Sequence, residues 1–112
     1  MRRGEIWWAD LPAPVASEPG YRRPVLIVQA NEFNQSRIRT VIAVVFTTNL
    51  RLAEAPGNIL VTANETGLPQ DSVINVSQVV TVDKSFLIEQ VGQVSDRVML
   101  LVDEGLRLVL AL

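Results

Sequence analysis

The 112-residue chain contains no cysteine and no histidine. Without cysteine there can be no disulfide and no thiolate chemistry. With imidazole missing as well, zinc, copper and haem sites of the common kinds lose their ligands. The usual proton shuttle at neutral pH is absent too, so no metal and no cofactor is expected. Any catalysis must draw on carboxylates, arginine, hydroxyls and backbone amides. No apolar run reaches the length of a membrane span, and Met1-Arg2-Arg3-Gly4-Glu5 leads into a strand-like pattern instead of an apolar signal core. A soluble, cytoplasmic protein with one domain over residues 1–112 and a single core is expected.

The formal net charge of −2 by itself speaks against a nucleic-acid partner. Its distribution does not. Residues 1–51 hold seven basic and four acidic side chains, and residues 52–112 hold three and eight. All seven N-terminal cations are arginines. Most of them are expected to be solvated surface charges, but a local cationic patch binds phosphate whatever the total charge.

Apolar runs and turn residues divide the chain into short strands. Residues 4–11 read as a strand that must place Trp7 and Trp8 on opposite faces. Residues 12–20, with three prolines and a glycine, form a loop long enough to cover a ligand. Residues 24–30 and 39–47 are apolar and rich in Val and Ile, as buried strands require. Between them, residues 31–36 can make one helical turn, and residues 49–57 form a second long loop. Further strands are expected at 58–63, 71–77, 78–82 and 88–94, with turns at 64–69 and 83–87.

The last segment differs in kind. Ser95 is a good N-cap with Asp96 in the first turn, and Val94 and Met99 stand at hydrophobic-staple positions. Val98, Leu101, Val102, Val109 and Leu112 repeat at helical spacing, with Gly105 on the same stripe to permit close approach to a sheet. Leu100, Leu106, Leu108 and Leu110 widen the apolar surface beyond one face, which points to a homodimer. Short strands followed by one helix predict a mainly β protein, a small bent sheet or barrel packed by a C-terminal α-helix.

Gly20-Tyr21-Arg22-Arg23-Pro24-Val25-Leu26-Ile27-Val28 sets two arginines directly before one apolar strand, and Val41 to Phe46 ends the next in Thr47-Thr48. Should those strands be neighbours, a guanidinium and a hydroxyl meet at one rim. Arginine grips phosphate through a rigid, permanently charged fork, so such a rim suits a phosphodiester.

Five blocks in order resemble the MazF/PemK toxins: Arg3-Gly4-Glu5-Ile6-Trp7-Trp8-Ala9-Asp10-Leu11, Ser17-Glu18-Pro19-Gly20, Arg23-Pro24-Val25-Leu26-Ile27-Val28, Phe46-Thr47-Thr48, and Asp71-Ser72-Val73-Ile74 with Gln78 and Thr81-Val82-Asp83-Lys84. The resemblance implies an SH3-like β-barrel with a C-terminal helix, the MazF/CcdB/Kid-type toxin fold, assembled as a homodimer. It further implies a type II toxin that cuts single-stranded RNA without a metal, leaving a 2′,3′-cyclic phosphate and a 5′-hydroxyl, and so arrests growth by inhibiting translation. A MazE-like antitoxin with an acidic, extended C-terminal segment would block the groove.

Carried over by position, the catalytic set is Arg23, Thr47 and Glu18, and the substrate-binding set is Ser17, Arg22, Thr48 and Gln78. Arg23 would stabilise the phosphorane, Thr47 would orient the phosphate, and Glu18 is either a general base or a structural partner of an arginine. Arg22 reads as a solvated or phosphate-positioning charge, and Gln78 either contacts substrate or satisfies backbone groups. Two departures bear on substrate preference. Val80 and Phe86 stand where many relatives carry arginine. With no histidine to move protons, turnover is expected to be modest. The competing reading is a non-enzymatic CcdB-like toxin or SH3-like module acting by protein contact; this chain's Val-Leu-Ala-Leu ending lacks the Trp-Gly-Ile of CcdB.

Overall fold

The Val- and Ile-rich runs pair as the centre of one antiparallel sheet. A computed structural model describes residues 1–16 and 21–112. Its strands are β1 (Glu5–Leu11), β2 (Tyr21–Ile27), β3 (Thr40–Thr47), β4 (Ile59–Val61), β5 (Ser72–Asp83) and β6 (Leu87–Gln93), in the order β4-β5-β3-β2-β1-β6. Short helices α1 (Asn31–Asn34) and α2 (Ala63–Thr66) lie in connections, and α3 (Asp96–Leu110) closes the chain. Strand β2 is central, as expected, but begins and ends three residues earlier than the apolar run 24–30 that marks it.

Strands that are apolar at successive positions bury both faces, and here they feed two cores instead of the single one expected. On one face Ile6, Leu26, Val44, Phe46, Ile74 and Val76 pack with Val98 and Val102 of α3. On the other, Ala9, Val25, Ile27, Ala43, Val45 and Val82 pack with half-buried Leu87, so the flanks of the curled sheet meet there. Trp7 packs against the second core and Trp8 against the first, the alternation expected of neighbours on a strand. The far edges approach through α2: a Cβ on Gly92 of β6 would lie 2.7 Å from the Thr66 carbonyl oxygen. Only glycine fits there.

The segments expected as two strands, 71–77 and 78–82, form one strand. Opposite β3 the register jumps from Val44↔Val79 to Val45↔Asn75, a bulge of residues 76–78 within β5, which pairs with β3 on one side and β4 on the other. A side-chain network holds the bulge. Asn58 Nδ2 donates to Leu52 O at 2.9 Å and to Asn75 Oδ1 at 3.2 Å, and Val76 N–H donates to Asn58 Oδ1 at 3.0 Å. The same network ties down the 49–57 loop, which carries a 3₁₀ turn over Leu50–Glu54.

Ser95 caps α3, accepting the Val98 N–H at 3.2 Å, and Val94 and Met99 both pack on the first core. The core-facing stripe is narrower than expected. Val98, Val102 and Gly105 are buried, whereas Leu101, Val109 and Leu112 are exposed. The reason is that α3 tilts onto β5 at one point, where a Cβ on Gly105 would stand 2.4 Å from Gly57 O and 3.1 Å from Val76 Cγ1. Just past that contact Leu106 still packs on the first core, and residues 107–112 are exposed. Arg3 anchors the middle of the helix, pairing with Asp103 and donating from Nε to Val28 O at 2.8 Å, which removes one of the N-terminal arginines from any phosphate patch.

Candidate active site

Proline supplies no N–H to a ladder, and the pairing of β2 with β3 ends at Val25↔Val45, the residue after Pro24. Both strands continue past that point, so their ends splay and a cleft opens between them. Extending the same register two residues sets Arg23 opposite Thr47. Both line the cleft, with Arg22 and Thr48 at its rim. Its volume is about 240 Å³.

Arg23 is half-buried, and among the described residues it makes no ion pair or side-chain hydrogen bond. A partly desolvated, uncompensated guanidinium attracts an anion. Thr47 Oγ1 accepts the Asn49 N–H at 3.2 Å. That bond occupies a lone pair and leaves the hydroxyl proton free to be donated into the cleft. Asn49 is itself fixed, its side chain accepting the Arg51 N–H at 3.3 Å at the start of the 3₁₀ turn.

Arg22 is held at the rim from two sides. Its guanidinium lies 5.3 Å from the centre of the Trp8 ring and 3.5 Å from Glu89 Oε1. Both groups are well exposed, so the ion pair adds little stability. It does give Arg22 a defined direction.

The opposite wall is the segment 68–72, and it is rigid for identifiable reasons. Thr62 and Glu65 form a capping box at the start of α2, and Gly67 takes the left-handed conformation that ends it. Asp71 Oδ1 accepts the Ala63 N–H at 2.8 Å, Thr66 Oγ1 accepts the Leu68 N–H at 3.1 Å, and Ser72 Oγ donates to Gln70 O at 3.1 Å. From the sequence, 64–69 is expected only as a turn, and Trp8 only to face away from Trp7 on its strand. That reading misses that Trp8, Pro24, Leu68, Pro69, Gln70 and Ser72 line the cleft. Trp8 stands opposite Pro24 in the β1–β2 register, a neighbourhood that the sequence alone does not give.

Gln78 lies elsewhere, in the β5 bulge, where its Oε1 accepts from Asn75 Nδ2 at 3.2 Å; it does not line the cleft. Ser17 and Glu18 fall outside the described residues. Among the described residues no group of three or more acidic side chains stands where it could hold a metal ion, and no helix is long and apolar enough to cross a membrane.

An arginine with no ion pair among the described residues and a threonine hydroxyl thus line one cleft at the open strand ends of a small β-sheet protein packed by one helix. Comparison with known proteins places that architecture. A family model of PemK-like, MazF-like toxins of type II toxin–antitoxin systems matches residues 2–110. The endoribonuclease MazF2 of Mycobacterium bovis is 51% identical over 112 residues, 100% of this chain and 98% of that protein. The endoribonuclease EndoA of Bacillus subtilis is 36% identical over 100% of this chain and 96% of its own. A solved mycobacterial endoribonuclease in complex with its cognate antitoxin superposes with a TM-score of 0.81 at 25% identity, covering 100% of this chain and 96% of that one. The chain belongs to the PemK/MazF family of toxins, and the CcdB-like alternative is not favoured.

Proposed function

We propose that this toxin cuts single-stranded RNA by transesterification within the chain, with no metal ion. The 2′-hydroxyl oxygen attacks the adjacent phosphorus and loses its proton to a base. The bond from phosphorus to the 5′-oxygen breaks, and that oxygen takes up a proton. The products are a 2′,3′-cyclic phosphate and a 5′-hydroxyl. The observation that carries this reading is the convergence of Arg23 and Thr47 on one cleft with the guanidinium unpaired among the described residues.

The roles follow from the chemistry. Charge builds on the non-bridging oxygens in the transition state, and preorganised donors aimed at that charge supply the largest catalytic contribution in many enzymes. Arg23 provides a charged fork and Thr47 a neutral donor. Arg22 and Thr48 contact flanking phosphates or sugars at the rim. Glu18 is the proton acceptor and Ser17 a substrate contact, both assigned from the family motif alone. Gln78 would act on substrate only through a stretch of RNA that runs past the cleft to the β5 bulge.

The titles of solved complexes support a cognate MazE-like antitoxin as partner; cleavage of RNA would arrest translation and so place the action in the cytoplasm. The exposed Leu100, Leu108 and Leu110 on α3 support a homodimer. One experiment tests the reaction. The purified protein is incubated in EDTA with a long RNA and with the same RNA carrying a 2′-deoxy substitution at each mapped cut. Discrete fragments with 5′-hydroxyl ends are expected from the first and none from the second. Cleavage at a deoxy position, or a strict need for a divalent ion, refutes the mechanism.

A further inference from the structure

We infer that Gln70 is a specificity-determining residue that reads the edge of the nucleobase next to the cut phosphate. The inference rests on the proposed RNA-cleaving role of the same cleft. Beside the charged pair, the cleft is walled by Trp8, Pro24, Phe46, Leu68 and Pro69, an apolar lining that a phosphate does not need. Its volume of about 240 Å³ falls below the roughly 300 Å³ at which drug-sized pockets begin. Room for one flat ring is left beside a phosphate group.

Gln70 is the polar side chain on that apolar wall that is not already committed. Its carbonyl oxygen accepts from Ser72 Oγ, but its side-chain amide makes no hydrogen bond within the described residues. The backbone that carries it cannot drift, because Leu68 is buried and its N–H bonds to Thr66, while Asp71 bonds to Ala63. A carboxamide offers one donor and one acceptor side by side, the pattern used to read base edges bidentately. Sequence-specific RNA recognition targets unstacked bases on such edges. An exposed amide carried on a tethered backbone beside an apolar slot can therefore discriminate, where the phosphate contacts of Arg23 and Thr47 cannot.

The test maps cut sites on a random-sequence single-stranded RNA pool for wild type, Gln70→Ala and Gln70→Glu, with circular dichroism to verify folding. The readout is the ratio of cutting between sites that differ at one base, so it is internal to each reaction. Gln70→Ala is expected to lose about tenfold in discrimination at one position, within the range of a single bidentate base contact. Gln70→Glu, with acceptors only, is expected to shift preference toward guanine, whose N1–H and N2–H present two adjacent donors. Unchanged ratios in both variants overturn the inference, as does complete loss of cutting by a folded Gln70→Ala protein. Failure of the wild type to cut at all refutes the proposed reaction instead, and base preference is then scored from binding to the same pool by the same criterion.

Discussion

On the proposed mechanism, replacing Arg23 by alanine is expected to separate catalysis from stability. Removing one preorganised donor from a developing oxyanion costs about 10²–10³ in rate; the guanidinium brings a two-pronged fork, so a loss near 10³ is expected. The stability change is expected to stay within about 0.5 kcal/mol, the usual range for a position with no buried partner to orphan, because Arg23 has no ion pair or side-chain hydrogen bond among the described residues. Thr47→Val removes a hydrogen bond to a charged group, about 1.5–3 kcal/mol or roughly 10- to 150-fold. Its effect on the fold is small, since the Asn49 N–H released from Thr47 Oγ1 sits on an exposed residue and finds water. Because the proposed mechanism has both groups act on one phosphate, the double variant should fall short of the product of the single losses. Arg23→Lys keeps the charge but not the fork and should recover only part of the rate. The assay is single-turnover cleavage of an end-labelled RNA with enzyme in excess, alongside urea unfolding of each variant. A folded Arg23→Ala protein cutting at the wild-type rate, or strictly multiplicative losses, would refute the reasoning.

Three further outcomes follow from the packing. Gly105→Ala regains about 1 kcal/mol of helix propensity but sets a methyl 2.4 Å from a backbone oxygen, an overpacking of up to about 3 kcal/mol; a net loss near 2 kcal/mol is expected in urea titration, and a raised midpoint would contradict the close approach. Asp83 has its carboxyl held below the ordinary value of 3.8, first by the Ser85 hydroxyl and N–H and then by Arg39. That stabilisation is present above pH 3.8 and fades as the pH falls through the lowered value, so wild type should lose stability relative to Asp83→Ala in acid; parallel pH profiles would exclude it. Leu100→Glu with Leu108→Glu charges the exposed face of α3 and is expected to halve the mass seen in sedimentation, whereas an unchanged mass moves the dimer contact elsewhere.

What the sequence made legible, and what it hid, divides along one physical line. Local rules reach as far as one element. They placed the strands, the Ser95 cap, the staple and the close approach of Gly105, because each depends on neighbours within a few residues. They also put Arg23 and Thr47 at facing strand ends, since an antiparallel register follows once two strands are adjacent. The core-facing stripe of α3 was misjudged for a complementary reason. Helical spacing lists which residues share a face, but how far the helix stays on the sheet depends on Gly57 and Val76, about 50 and 30 residues away in the chain. The same limit hid the 68–72 wall. Nothing in Leu-Pro-Gln-Asp-Ser announces a cleft; it becomes one because Gly67 and Gly92 let α2 close against β6 and swing that segment over the open end of the β2–β3 ladder. The charged half of the site is thus written in residues that keep their meaning alone. The half proposed to choose a base exists only where distant segments meet, and no rule confined to one element reaches it.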